Sequence, residues 1–435
     1  MKNLRTFLTG LLPVAFILGT GSSAAAFHNG GVGPCEGCHT MHNSSQGSPL
    51  NGNPIMYAYL LRQQDPSSTC LNCHQGAGDI GPTRYHISTP INELLPGMPP
   101  KQLTPGGDFG WLNKTFSWVS SPTSATAYSY GERHGHNVVA ADFLYEADST
   151  YTTAPGGTYP ANRLGCISCH DPHGKYRRNA DGSITTTGRP ISGSGSFASS
   201  PNPGSATSVG AYRMLGGQNY QPRSLIGGLA FVNDPPAAVA PDQPNRSEAV
   251  TQTRVAYGAG MSEWCRNCHP NMHTVAFPGS TNLLHPAGAA AKLGTAKTDN
   301  YGAYIRTGDL SGLWDTSYLS LVPYEEGTAD YATLKAHARS DDSVLAGPDR
   351  TTAQVMCLSC HRAHASGWDG MTRWNTRTDF IVYNGKYAQD GQVYQPYGQG
   401  RTEAEASRAY YDRPVGKFAL NQDTLCNKCH VGVYP

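Results

Sequence analysis

Twelve cysteines stand in the 435-residue chain, and all twelve fall into six C-x-x-C pairs with a histidine directly behind each. They are Cys35, Cys38 and His39; Cys70, Cys73 and His74; Cys166, Cys169 and His170; Cys265, Cys268 and His269; Cys357, Cys360 and His361; and Cys426, Cys429 and His430. Residues three and four apart share one face of a helical turn, so each motif can offer two thiols and an imidazole to one flat ligand. Zinc would take the thiols in fours and has no use for six adjacent histidines. A redox dithiol is expected near a βαβ pattern, and none is evident. C-x-x-C-H is the attachment signature of c-type haem, whose vinyl groups take the thiols and whose iron takes the histidine. Six haem c groups are expected, with the cysteines as covalent anchors and the six motif histidines as proximal ligands.

Ten further histidines remain: His28, His42, His86, His134, His136, His173, His273, His285, His337 and His364. Six irons need at most six more ligands, so every iron can be bis-histidine, with no open position and a low potential. Motifs one, three and five continue to a second histidine, in "CHTMH", "CHDPH" and "CHRAH". Recurrence at one spacing marks His42, His173 and His364 as ligands that reach toward another haem than their own. His136, His285 and His337 lie between haem pairs and are expected as distal ligands; His28 and His86 complete the candidates, with His134 and His273 spare. If each odd-numbered haem takes its sixth ligand from the next odd motif, the first uses His173 and the third His364. The fifth then needs a donor from beyond the chain, and the unassigned one is His42. His42 is therefore expected to enter the fifth haem of a neighbouring copy, a head-to-tail contact that does not close and so builds a filament.

The chain that must position these groups starts with an address. Lys2 and Arg5, an apolar run from Phe7 to Leu18 and the small residues Ala24 to Ala26 read as a secretory signal peptide over 1–26. That run is too short to span a membrane, no other stretch comes close, and the mature chain is expected to be secreted to the outer surface or, alternatively, to the periplasm. Without the signal, 30 basic residues face 31 acidic ones, since Lys2 and Arg5 leave the total of 32. Six haems would add about twelve propionate charges, and the acidic holoprotein that results argues against nucleic acid as a partner.

Fifty glycines and thirty-one prolines punctuate the sequence throughout, so long helices and strands are not expected. The fold class expected is a multihaem c-type cytochrome: mostly coil and turns, short helices wrapped around a stack of six haems, and little β-sheet. Helical turns are expected at each motif and around Tyr331–Ala338 and Glu403–Tyr411, an extended connector at Pro235–Pro241, and a flexible loop at Ser192–Ser205. A single domain over 27–435 divides into three two-haem units, roughly 27–140, 141–340 and 341–435. The haems are expected to supply the core that such a chain otherwise lacks. The twenty-four tyrosines read as packing with one polar end, and Lys175, Arg177 and Arg178 as candidate partners for propionates.

The stretches "FHNGGVGPCEGCHTMHNS", "TPGGDFGW", "APGGTYPANRLGCISCHDPHGKYRRN", "GMSEWCRNCH", "EEGTADY", "CLSCHRAHASG" and "LCNKCH" resemble the OmcS-type outer-surface hexahaem cytochromes of metal-reducing bacteria. The resemblance runs through nearly the whole mature chain in order, with Ser117–Tyr130 and Asp379–Thr402 outside it. It implies an electron-transfer protein and not an enzyme: a conductive extracellular filament of stacked protomers, every iron bis-histidine, with the histidine at the His42 position crossing to the adjacent subunit. Electrons would pass to insoluble metal oxides, electrodes or partner cells. A monomeric electron shuttle keeps the same haems without the polymer; a multihaem reductase would need an open iron, against which the surplus of histidines counts.

Overall fold

The computed structural model describes residues 35–40, 44–45, 48–49, 60–76, 85–119, 123–222, 228–272, 285–388 and 398–431. The signal peptide, His28, His42 and His273 lie outside these residues. Helices are short, the longest described being Gly294–Ala303 and Pro66–His74. The described strands form five antiparallel sheets of two or three strands each. Mostly irregular backbone joins them, as the glycine and proline content predicts.

Each of the six motifs occupies a helical turn: Cys35–Cys38, Pro66–His74, Cys166–Ser168, Met261–Cys265, Cys357–Cys360 and Leu425–Lys428. The turn is closed by the motif histidine, whose backbone N–H donates to the carbonyl of the first cysteine, at 2.8 Å for His39 and 3.0 Å for His170, His269, His361 and His430. Asp65 starts the longest motif helix by accepting from Ser68 N at 2.8 Å, ahead of Pro66 in the first turn. The other two expected helices are present as Tyr331–His337, capped by Asp330, and Glu403–Ala409, opened by a Thr402–Glu405 capping box.

Three local expectations give way. The Pro235–Pro241 connector contains a buried strand, Ala237–Val239, paired with Ala256–Ala259; its small apolar side chains fit a packed ladder better than a solvated extended segment. Ser192–Ser205 is pinned along its length, with Ser192 N bonded to Ser208 O and Phe197 bridged to Ala240. The chain also buries a core of its own, where Trp111, Tyr301, Leu321, Trp368, Trp374 and Tyr410 meet in one cluster. Two buried tyrosines place their hydroxyls on carbonyls: Tyr301 Oη donates to Val322 O at 2.9 Å and, in a neighbouring cluster, Tyr220 Oη donates to Ile167 O at 2.7 Å.

Candidate haem centres

The folded chain strings the six motifs into one row in sequence order. Cys38 lies beside Cys73, Cys169 beside Cys268, and Cys360 beside Cys426 and Cys429. Between these pairs the first cysteines meet: the Cys70 and Cys166 thiols hydrogen-bond each other, and so do Cys265 and Cys357. Two kinds of junction therefore alternate with a period of two motifs. The second kind carries a repeated strut, Ser67 Oγ accepting from Cys166 N at 3.1 Å and Ser262 Oγ accepting from Cys357 N at 3.0 Å. Both serines stand three residues ahead of a motif's first cysteine, a spacing visible in the sequence but not singled out there. Burial pushes the Cys268 and Cys360 thiols up to about 12; bonded to vinyl carbon, these sulfurs would have no proton to lose.

Four pairs of histidine rings lie within 6.4 Å of each other. Ring centres are 6.4 Å apart for His39 and His173, 6.4 Å for His170 and His364, 6.1 Å for His136 and His269, and 6.0 Å for His285 and His430. A metal held about 2 Å from one nitrogen of each imidazole separates two ring centres by about 6 Å. Each pair joins one motif histidine to one of the distal candidates. The interplanar angles differ widely, from 8° for His39 with His173 to 79° for His285 with His430.

Backbone carbonyls fix the tautomers. Nδ1 lies 2.9 Å from Tyr85 O in His74, 2.7 Å from Arg213 O in His170, 2.8 Å from Pro155 O in His269 and 2.8 Å from Gly370 O in His361. The distal candidates His136 and His285 do the same with Ala363 O at 2.7 Å and Pro286 O at 2.9 Å. A carbonyl only accepts, so Nδ1 carries the proton and the Nε2 lone pair is left for a metal. Burial, then the facing histidine, holds His136 down to about 4 and His364 down to about 3. Both are neutral, the form that ligates.

The remaining candidates are placed differently. His337 faces no described motif histidine; its Nδ1 is 2.6 Å from a Glu326 carboxylate oxygen instead. His86 packs beside motif two, with Tyr85 edge-on to both His86 and His74. A side chain at Gly76 would run into the His86 ring. His134 is fully buried, with Nδ1 at 2.9 Å from Trp111 O and Nε2 at 2.8 Å from Ser129 Oγ, so both its nitrogens are engaged. Among the described residues no second histidine ring faces His361. Arg177 and Arg178, considered for propionates, bond instead to the carbonyls of Arg189 and Pro236.

Other arginines suit that part better. Arg362 and Arg373 are 2% and 3% exposed and line a small cavity with Tyr257, Tyr318 and Tyr411. Arg362 stacks on Tyr411 at 3.7 Å, reaches Pro105 O at 3.2 Å and leaves Nε without a partner. Among the described residues Arg373 bonds only to carbonyls, including Leu358 O at 2.6 Å. The nearby carboxylate Glu248 is taken by Arg413 at 2.7 Å. A buried cation without an anion costs several kcal/mol, and haem propionates are anions of the right kind. The thiol row, the facing imidazoles and these unneutralised guanidiniums all fit haem c.

No protein-family model matches the chain. It is 54% identical over 424 residues to C-type cytochrome OmcS of Geobacter sulfurreducens, spanning 96% of each protein. Two solved structures, OmcS nanowires and the Outer Membrane Cytochrome S filament of that organism, share the fold at a TM-score of 0.85 and 54% identity. Each alignment covers 94% of this chain and 100% of the solved one.

Proposed function

This chain belongs to the OmcS family of c-type cytochromes, and from that premise we propose that it carries electrons outside the cell as a filament of head-to-tail copies, each with six covalently bound haems. It is an electron-transfer protein, not an enzyme. The observation that carries the reading is the single row of six motifs with imidazole pairs 6.0–6.4 Å apart along it. Such a row offers stepping sites from one end of the chain to the other.

The twelve motif cysteines bind haem as thioethers, and His39, His74, His170, His269, His361 and His430 are the proximal ligands. His173, His136, His364 and His285 are the distal ligands of the first, fourth, third and sixth haems. The second haem draws on His86 or His28. The fifth takes His42 from a neighbouring copy, because the described part of its own chain sets no histidine opposite His361. When bound, haem supplies a one-electron couple, and bis-histidine ligation leaves no iron position for substrate. Where a backbone carbonyl holds Nδ1, as in His74, His136, His170, His269, His285 and His361, the ring is oriented with Nε2 free for the iron.

No helix among the described residues is long and apolar enough to cross a membrane. Export follows the signal peptide over 1–26. The electron acceptors are insoluble metal oxides, electrodes or partner cells. The test is electron microscopy of haem-staining protein sheared from cells, native beside His42→Ala. Uniform native filaments that are lost in the variant support the reading. Isolated native particles would instead make the protein a monomeric shuttle.

A further inference from the structure

The two stretches outside the family resemblance, 117–130 and 379–402, meet at one buried network. Ser129, from the hairpin Phe116–Val119 with Thr126–Ser129, donates from Oγ to Asp369 Oδ1 at 2.5 Å. Arg401 reaches the same Ser129 Oγ at 3.0 Å, bonds to Gly367 O at 2.6 Å, and stacks on Phe116 and Trp368. Arg377 pairs with the other Asp369 oxygen, with Arg133 3.9 Å away. His134 Nε2 lies 3.6 Å from Asp369 Oδ1. Asp369 therefore gathers contacts from the 129–134 stretch and from Arg377, with Arg401 tied in through Ser129, while only 8% of its side chain is exposed.

What Asp369 opens is the short turn Asp369–Met371, which lies against motif five. Gly370 takes φ +67°, which glycine adopts freely, and Met371 φ +48°, a conformation that a residue with a side chain keeps only where the surroundings impose it. The turn grips the motif through two bonds, Gly370 O accepting from His361 Nδ1 at 2.8 Å and Met371 O accepting from Arg362 N at 2.8 Å, and just beyond it Arg373 N donates to Cys360 O at 2.7 Å. The carbonyl that orients the His361 ring thus belongs to the residue next to Asp369. Hydrogen bonds of this kind fix the ring and raise its basicity toward the metal.

We propose that Asp369 is the positioning residue of motif five: acting through the Gly370 carbonyl, it fixes the His361 imidazole and so sets the potential of the haem held there. The inference rests on the haem reading above. A firmly bonded Nδ1–H makes the imidazole the stronger donor, which favours the ferric state. Loosening the turn weakens that bond and moves the potential upward. A tenfold loss of ferric preference equals about 59 mV for one electron, and loss of an outer-shell partner costs about tenfold or more in metal affinity.

The experiment is a spectroelectrochemical titration of the holoprotein, native beside Asp369→Asn. A Cys357→Ser, Cys360→Ser double variant identifies the component that belongs to motif five. The expected result is that this component alone rises by up to about 59 mV, that one low-spin ferric signal changes in electron paramagnetic resonance, and that Asp369→Glu restores part of both. Should Asp369→Asn fail to assemble, Arg401→Lys loosens the network from its other side and is read in the same way. An unmoved component with haem content intact overturns the proposal. So does a collective shift of all components, or loss of haem in both variants, since either marks a merely structural role. If the double cysteine variant removes no component, it is the haem reading itself that has failed.

Discussion

At the residue scale, ligand identity decides what each iron can bind. His364 is the only described histidine facing His170, so His364→Ala should open one iron. The reduced variant is expected to bind carbon monoxide rapidly at one haem while the native protein binds almost none, a contrast read from the difference spectrum. Much of this site was legible beforehand, because covalent attachment demands fixed spacing and the second histidine of "CHDPH" and "CHRAH" recurs at one offset. The Glu326 carboxylate that holds His337 Nδ1 was not legible, because a histidine's partner depends on what the fold brings to it; the Nε2 lone pair is left for a metal there as in the other candidates. Arg362 and Arg373 were equally silent, since only the folded chain reveals that they are buried without a carboxylate.

At the scale of elements, the junction between motifs four and five rests on a buried acid. Glu325 is fully buried, accepting from Met261 N at the start of the motif-four helix at 2.6 Å and from Gln354 at 2.7 Å. Burial raises its carboxyl to about 7, with Glu263 adding to the rise. Between the unfolded value of 4.5 and about 7 the folded state holds more protons than the unfolded one, so stability falls as the pH rises through that window. The shift corresponds to roughly 3 kcal/mol. Thermal midpoints should drop between about pH 5 and pH 7.5, and Glu325→Gln should flatten that slope. A second element-scale contact lies behind His364. Gly107 has φ +94°, and a Cβ there would come within 1.6 Å of Ala365 O. Gly107→Ala should cost about 3 kcal/mol and lower the occupancy of the motif-three haem, read by haem content and melting temperature. The helices Tyr331–His337 and Glu403–Ala409 fall within the turns expected there, and the structure shows Asp330 and Thr402 capping them. The Ala237–Val239 strand was not, because its partner lies at 256–259 and such pairing leaves no local mark.

At the scale of the whole molecule, motif order along the sequence is also spatial order along the row, and the proposed filament puts one further junction between copies. His42→Ala should therefore leave most haems unchanged while the fifth becomes able to bind carbon monoxide and filaments shorten or vanish, checked by spectroscopy and microscopy on one preparation. The facing histidines have a further effect, on what a cut in the backbone can do. The pairs 39 with 173, 136 with 269, 170 with 364 and 285 with 430 span the sequence as overlapping intervals. Every peptide bond between residues 39 and 430 lies inside at least one of them. A protease that nicks an exposed loop of the holoprotein would then free no fragment until an iron–imidazole bond opens, so the wire should tolerate broken links that would sever an ordinary chain.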